Sequence, residues 1–134
     1  MNDDPQLKLL PLDHLTVLWT DEVKSQKFYG HLLPEIGFNQ KRPGIWSNEA
    51  GLFFQFLPAK VGTAPYERYG AGLNHMGFRA PNREFVEKLH VHMEAAGYEA
   101  RLQKLGHTLA LFIPDPDGLR IEVSHYPEGV DPVD

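Results

Sequence analysis

Two histidines and two side chains ending in a carboxyl or amide recur in this 134-residue chain in matching surroundings. His14 lies in Leu12-Asp13-His14-Leu15 and His75 in Leu73-Asn74-His75-Met76, so each follows a leucine and a small polar residue. Gln55 and Glu122 each stand four residues after a glycine, in Gly51-Leu52-Phe53-Phe54-Gln55 and Gly118-Leu119-Arg120-Ile121-Glu122. Self-similarity of this kind marks a repeated structural unit, and here the repeat overlays residue types that bind metals. Two imidazoles and one carboxylate, with other positions open, suit one divalent ion: Zn(II), Ni(II), Mn(II) or Fe(II). His14, His75 and Glu122 are thus the candidate metal ligands. The single negative charge of that ligand set leaves the dication with positive charge in excess, apt for an anionic oxygen ligand. Gln55 can add its amide oxygen to the metal or point at the substrate.

Positioning these residues takes a strand, a helix and three strands, twice over. Residues 9–19 read as a strand rich in Leu, Val and Trp. Thr20 or Asp21 can cap a helix through Leu33, with a stripe of Val23, Phe28, Leu32 and Ile36. Pro34 and Gly37 end it, and short strands follow over 38–41, 45–47 and 52–57. A Pro-, Gly- and Ala-rich connection leads to a strand over 73–79. A helix over 81–96 follows, with Phe85, Leu89, Met93 and Ala96 on one face, then strands over 98–103, 108–113 and 119–125. The pattern predicts an α+β fold in one domain: a first βαβββ module over about 9–58, a linker over 59–71 and a second module over 72–126. The histidines are 61 residues apart and Gln55 and Glu122 are 67 apart. The difference falls among short strands and loops, where insertions are tolerated.

Alternation along a strand sets which side chains share a face. His14 shares one with Leu12, Thr16 and Leu18, His75 with Gly77 and Arg79, and Glu122 with Arg120 and Ser124. Their opposite faces are apolar and suit packing beneath the helices. Arg79 and Arg120 flank the ligand face and are the candidates to meet an anionic substrate. Trp46 and Phe53 are candidates to wall an apolar pocket. His90 and His92, two apart on a helix, point to different sides and read as solvated.

Composition sets further bounds. A net charge of −5 argues against a nucleic-acid partner, which needs a basic face. With no cysteine, disulfides, thiolate metal sites and a cysteine nucleophile are excluded. The acidic start Met1-Asn2-Asp3-Asp4 does not read as a signal peptide, and no run is long enough for a membrane span. The expectation is a cytoplasmic protein. P-loop, dinucleotide-fingerprint, Gly-x-Ser-x-Gly and His-Glu-x-x-His motifs are absent.

With these residues in hand, the chain resembles the vicinal oxygen chelate superfamily, which includes glyoxalase I, bleomycin-resistance proteins, fosfomycin-resistance transferases and extradiol dioxygenases. The resemblance spans about residues 9–126. It rests on Leu12-Asp13-His14-Leu15, Phe28-Tyr29, the run from Gly72 to Phe78 and the run from Pro114 to Val123. It implies two βαβββ modules forming a cupped, barrel-like mixed sheet with helices outside, around a divalent metal held by His14, His75 and Glu122. It implies a glyoxalase-like enzyme that stabilises an oxyanion of a small oxygenated substrate; the catalytic base is then Glu122, leaving the metal, or a water. Two alternatives follow from the same resemblance: a metal-free small-molecule binding protein of the bleomycin-resistance type, and an Fe(II) extradiol-type dioxygenase. Bacterial-type glyoxalase I carries a carboxylate where Gln55 stands. Extradiol dioxygenases carry a tyrosine where this chain has Phe112. A homodimer is expected, with the modules of one site drawn from one chain or from two.

Overall fold

Both helices start on a side-chain cap. Asp21 accepts a hydrogen bond from the Lys24 N–H at 3.0 Å, and Asn82 accepts from the Phe85 N–H at 2.8 Å. They open α1 (Glu22–Leu32) and α2 (Arg83–Ala95) in a computed structural model that describes residues 8–133. Strand β1 (His14–Trp19) precedes α1, and a single 3-10 turn (Leu33–Ile36), ended by Gly37 at φ 96°, follows it. Then come β2 (Asn39–Arg42), β3 (Ile45–Ser47) and β4 (Phe53–Pro58). The second module repeats the order: β5 (His75–Arg79), α2, β6 (Arg101–Leu105), β7 (Thr108–Pro114) and β8 (Arg120–His125). The α+β fold of two tandem βαβββ modules stands as the repeat implied.

The strands form two separate four-stranded sheets, ordered β1-β4-β3-β2 and β5-β8-β7-β6. In each the first strand runs parallel to the last and the remaining pairs are antiparallel. The registers are equivalent: His14 stands opposite Phe53 and Thr16 opposite Gln55, as His75 stands opposite Arg120 and Gly77 opposite Glu122.

Three details differ from the sequence reading. β1 begins at His14, not at Leu9, because its partner β4 begins at Phe53; Leu9, Leu10 and Leu12 are exposed. On α1 the buried set is Ser25, Phe28, Tyr29 and Leu32, while Val23 is 76% exposed. At about 100° per residue Val23 lies some 140° around the helix from Phe28, off the buried stripe. On α2 the fully buried position is Val86, while Phe85 is half-buried, so the core face runs Val86, Leu89, Met93.

One apolar core joins the modules. It includes Phe28, Tyr29, Leu32, Phe38, Phe54 and Phe56 from the first and Val86, Leu89, Met93, Leu111, Ile113, Ile121 and Val123 from the second. Phe78 of β5 packs against Phe38 and Phe54, with ring centroids 6.0 and 6.4 Å apart. Burying about a dozen large side chains here is the main stabilising contribution, at roughly 1.5–3 kcal/mol each before chain entropy is subtracted. No helix among the described residues is long and apolar enough to cross a membrane.

Candidate metal centre

Because the core takes one face of each sheet, the residues singled out for chemistry lie on the other faces. β1 alternates exposed and half-buried from His14 to Trp19, so His14, Thr16 and Leu18 turn away from the core. Phe53, Gln55 and Leu57 do the same on β4. In the second module His75, Gly77 and Arg79 turn outward from β5, beside Arg120 and Glu122 of β8. The structure brings His75 and Glu122 together and leaves His14 and Gln55 on the other sheet. Among the described residues no group of three or more His, Asp or Glu side chains converges on a metal position. The physical reason is the shared core: packing the two inner faces together leaves the two outer faces on separate exteriors.

In the second half-site, His75 Nε2 lies 3.1 Å from Glu122 Oε1. Asn74 fixes the ring. Its Nδ2 donates to the Arg68 carbonyl at 2.9 Å, so its Oδ1 is the atom left facing His75 Nδ1 at 2.7 Å. His75 Nδ1–H therefore donates to Asn74, and Nε2 presents its lone pair to a carboxylate. Two acceptors at that distance need a cation between them, either a second proton on the ring or a metal. Donors that each sit about 2.0–2.2 Å from one ion stand about 3 Å apart, as these do. Glu122 Oε2 is oriented from behind by the Ser124 hydroxyl at 2.7 Å and the Tyr126 hydroxyl at 3.2 Å. Oriented ligands backed by hydrogen-bond partners are what metal sites require, so the pair fits a divalent ion.

Room is left above the pair. A Cβ added at Gly77, directly across from Glu122, would meet nothing within 4 Å. At the equivalent place in the first module stands Thr16, whose hydroxyl donates to Gln55 Oε1 at 3.2 Å. His14 Nδ1 is held by Asp13 as His75 is by Asn74. The half-sites thus share one plan, with Gln55 clamped by a threonine and Glu122 free to meet its histidine.

The remaining candidates divide. Phe53 is 40% exposed beside His14 and stays on the outer face. Arg120 is on the site face with its guanidinium 4.4 Å from the Phe112 ring centroid, and Arg79 lies 4.8 Å from that of Tyr126. Burial, and then the like charges of Arg68 and Arg101, hold the Arg120 guanidinium below its usual pKa. Burial pushes the Tyr126 phenol up, with the Glu122 charge adding to it. Trp46 belongs to β3. It pairs with Phe54, so its ring is on the core face, where it borders a cleft of about 650 Å³ with Trp19, Tyr29 and Phe56. Tyr126 is the site residue that sequence reasoning missed. The signal was partial, since Tyr126 continues the every-second spacing of Glu122 and Ser124 just past the end of β8.

No protein-family model matches the sequence. The chain is 26% identical over 124 residues to "Uncharacterized protein YqjT" of Bacillus subtilis (strain 168), covering 84% of this chain and 96% of that protein. Among solved structures it superposes on a candidate glyoxalase from Bacillus halodurans with a TM-score of 0.78 and 21% identity, over 90% of this chain and 99% of that one. The fold is that of the vicinal oxygen chelate superfamily. A glyoxylase/bleomycin resistance protein/dioxygenase domain from Frankia sp. EAN1pec agrees, with a TM-score of 0.76 and 20% identity over 91% of this chain and 96% of that one.

Proposed function

We propose that the chain is a divalent-metal-dependent, glyoxalase-like enzyme. Its site would be completed when the half-site of one copy meets the complementary half-site of a second. The single observation that carries this reading is the His75 Nε2–Glu122 Oε1 pair at 3.1 Å, two acceptors that call for a cation. His75 and Glu122 would hold the metal from one copy and His14 from the other, with Gln55 as a further oxygen donor or a contact to the substrate. The bound ion would supply Lewis-acid stabilisation of an oxyanion on the substrate. Glu122, backed by Ser124 and Tyr126, would take up and return a proton at Oε1 only after leaving the metal. Arg79 and Arg120 flank it as contacts for an anionic substrate.

The same faces support a dimer. The outer face of the first sheet exposes Leu18 at 51%, Phe53 at 40% and Leu57 at 42%, around His14 and Gln55. An apolar face of this kind is stabilised by being covered, and a two-fold pairing would set it against the outer face of the second sheet twice over. Phe53→Asp should therefore turn a dimer into a folded monomer by analytical ultracentrifugation. A variant that stays dimeric counts against this pairing.

The metal itself is tested by titrating metal-stripped protein with Zn(II), Ni(II), Mn(II) or Fe(II). One ion per chain should bind with release of protons, because a ligand cannot hold a proton and a metal together. His75→Ala should weaken uptake by about 100-fold or more, exceeding what losing an outer-shell partner costs. Wild-type protein that takes up none of the four ions would sink the reading.

A further inference from the structure

Three arginines gather beside the His75–Glu122 pair, and among the described residues none of them is in an ion pair. Arg101 of β6 stands opposite Phe112 of β7, Phe112 stands opposite Glu122, and the Arg120 guanidinium lies over the Phe112 ring. Arg68 comes from the linker between modules, where its carbonyl is held by Asn74, the residue before His75. The linker is tied down here. The Tyr66 hydroxyl donates to the Leu73 and Asn74 carbonyls at 2.7 and 3.0 Å, and Asn74 Nδ2 holds the Arg68 carbonyl.

Two of these guanidiniums are built like binding groups. Arg68 is stacked at 4.7 Å from the Tyr69 ring centroid and Arg120 at 4.4 Å from that of Phe112, so their planes are set. The Nε of each is buried and has no hydrogen-bond partner. A buried donor without an acceptor costs free energy, more so on a charged group. Gathering three like charges adds to that cost. An oxyanion bridging them would relieve both, since a guanidinium edge matches carboxylate and phosphate oxygens two at a time.

We infer that Arg68, Arg101 and Arg120 form an anion subsite for a carboxylate or phosphoryl group on the substrate, next to the atoms held at His75 and Glu122. The substrate is then an organic acid or phosphate ester whose oxygenated carbons lie close to its anionic group. This deepens the proposed function and rests on it for the word substrate, but the subsite itself does not need the metal. A second copy would bring the Asp13 carboxylate, which is held against its own His14 ring, but none from the strands of its first sheet. The outward strand positions of the first sheet, among them His14, Thr16, Leu18, Gln55, Phe53, Leu57, Ile45 and Asn39, include no carboxylate. Asn74 couples the two features, because one amide orients His75 with its oxygen and anchors the Arg68 loop with its nitrogen.

The test uses the full chain and two simple probes, inorganic phosphate and acetate, followed through the arginine Nε–Hε resonances by NMR. Both anions should shift the Arg68 and Arg120 signals saturably, and chloride at equal ionic strength should not. The stronger of the two identifies the anionic group as phosphoryl or carboxylate. Arg120→Met and Arg68→Met, which keep an unbranched side chain over the rings, should each weaken binding roughly tenfold or more. Zinc uptake should be unchanged in both. Asn74→Asp keeps the oxygen that faces His75 but loses the donor to Arg68, so it should weaken anion binding more than zinc binding. Shifts that are unsaturable or matched by chloride overturn the subsite. So does an Arg120→Met variant that becomes monomeric with its phosphate affinity unaltered. Saturable anion binding by protein that takes up no metal would keep the subsite and remove the metal reading.

Discussion

Mixing His14→Ala chains with Glu122→Ala chains should recover divalent-metal binding that neither variant has alone. Each variant by itself lacks a ligand in every site it can assemble. In a mixed dimer one of the two sites takes His14 from the Glu122→Ala chain and His75 with Glu122 from the His14→Ala chain, so that site is whole. Random pairing makes about half the dimers mixed, so a co-refolded equimolar sample should hold about a quarter of the wild-type number of tight sites. The expectation rests on the fold. The inner faces of both sheets are committed to one core, and the faces bearing His14 and His75 belong to separate sheets. Calorimetric titration of the mixture, with mass spectrometry to prove that mixed dimers are present, checks it. Mixed dimers that bind no more metal than the single variants would show that the ligands do not meet across copies.

The second large effect is on stability and concerns how the modules are fastened. Tyr29 of α1 is 1% exposed, and its hydroxyl donates to Asp115 Oδ2 at 2.7 Å in the turn between β7 and β8. Asp115 Oδ1 also accepts from the Asp117 and Leu119 N–H groups at 2.9 and 3.0 Å, and Gly118 at φ 95° lets the turn close around it. Asp117 in turn accepts from the Thr20 N–H and hydroxyl. A module-two turn is thus clasped by module-one groups. Burial pushes the Asp115 carboxyl up, against the opposing effect of the Tyr29 hydrogen bond and the two N–H groups. Tyr29→Phe removes one of those donors and leaves a buried carboxylate short of a partner, at a cost of about 1–3 kcal/mol. In a chain of this size that lowers Tm by roughly 3–12 °C.

The pH dependence has a definite sign. Asp115 has a folded pKa above its ordinary value, so folding favours its protonated form. Its contribution is complete below the ordinary carboxyl range and is lost as pH rises through the folded value. Without Tyr29's donor the folded value rises further. The Tm gap between Tyr29→Phe and wild type should therefore be widest near neutrality and shrink as the pH falls toward 4. Tyr29 itself is held well above 10, chiefly by burial and then by the Asp115 charge. The stability from its neutral phenol is present below pH 10 and lost above it, so wild type alone should show an added alkaline unfolding step near and beyond that pH. Differential scanning calorimetry from pH 4 to 11 measures both. A gap that does not change between pH 7 and pH 4 would refute the role given to Asp115.

The repeat was legible because duplication preserves local chemistry. Asp13-His14 and Asn74-His75 each pair a ring nitrogen with the preceding side chain, a contact between neighbours in sequence. The strand periods placed His14, His75, Gln55 and Glu122 away from the core, and the registers agree. The face of Trp46 was not legible, because a three-residue strand leaves too little alternation to read, and only its pairing with Phe54 assigns it. The role of Asn74 was not legible, since the linker has no periodicity and its conformation is set by Tyr66, Asn74 and their carbonyl partners.

By itself, then, the sequence determined the modules, their helices and the side of each strand that carries polar chemistry, because these follow from periods of two and 3.6 residues and from capping within a few positions. Only the tertiary structure decided how the halves relate. The choice of which faces share a core is made by packing among Phe38, Phe54, Phe78 and their neighbours, contacts between residues far apart in the chain that leave no local pattern. That choice separates His14 from His75 and Glu122, which the matching sequence surroundings by themselves would have grouped.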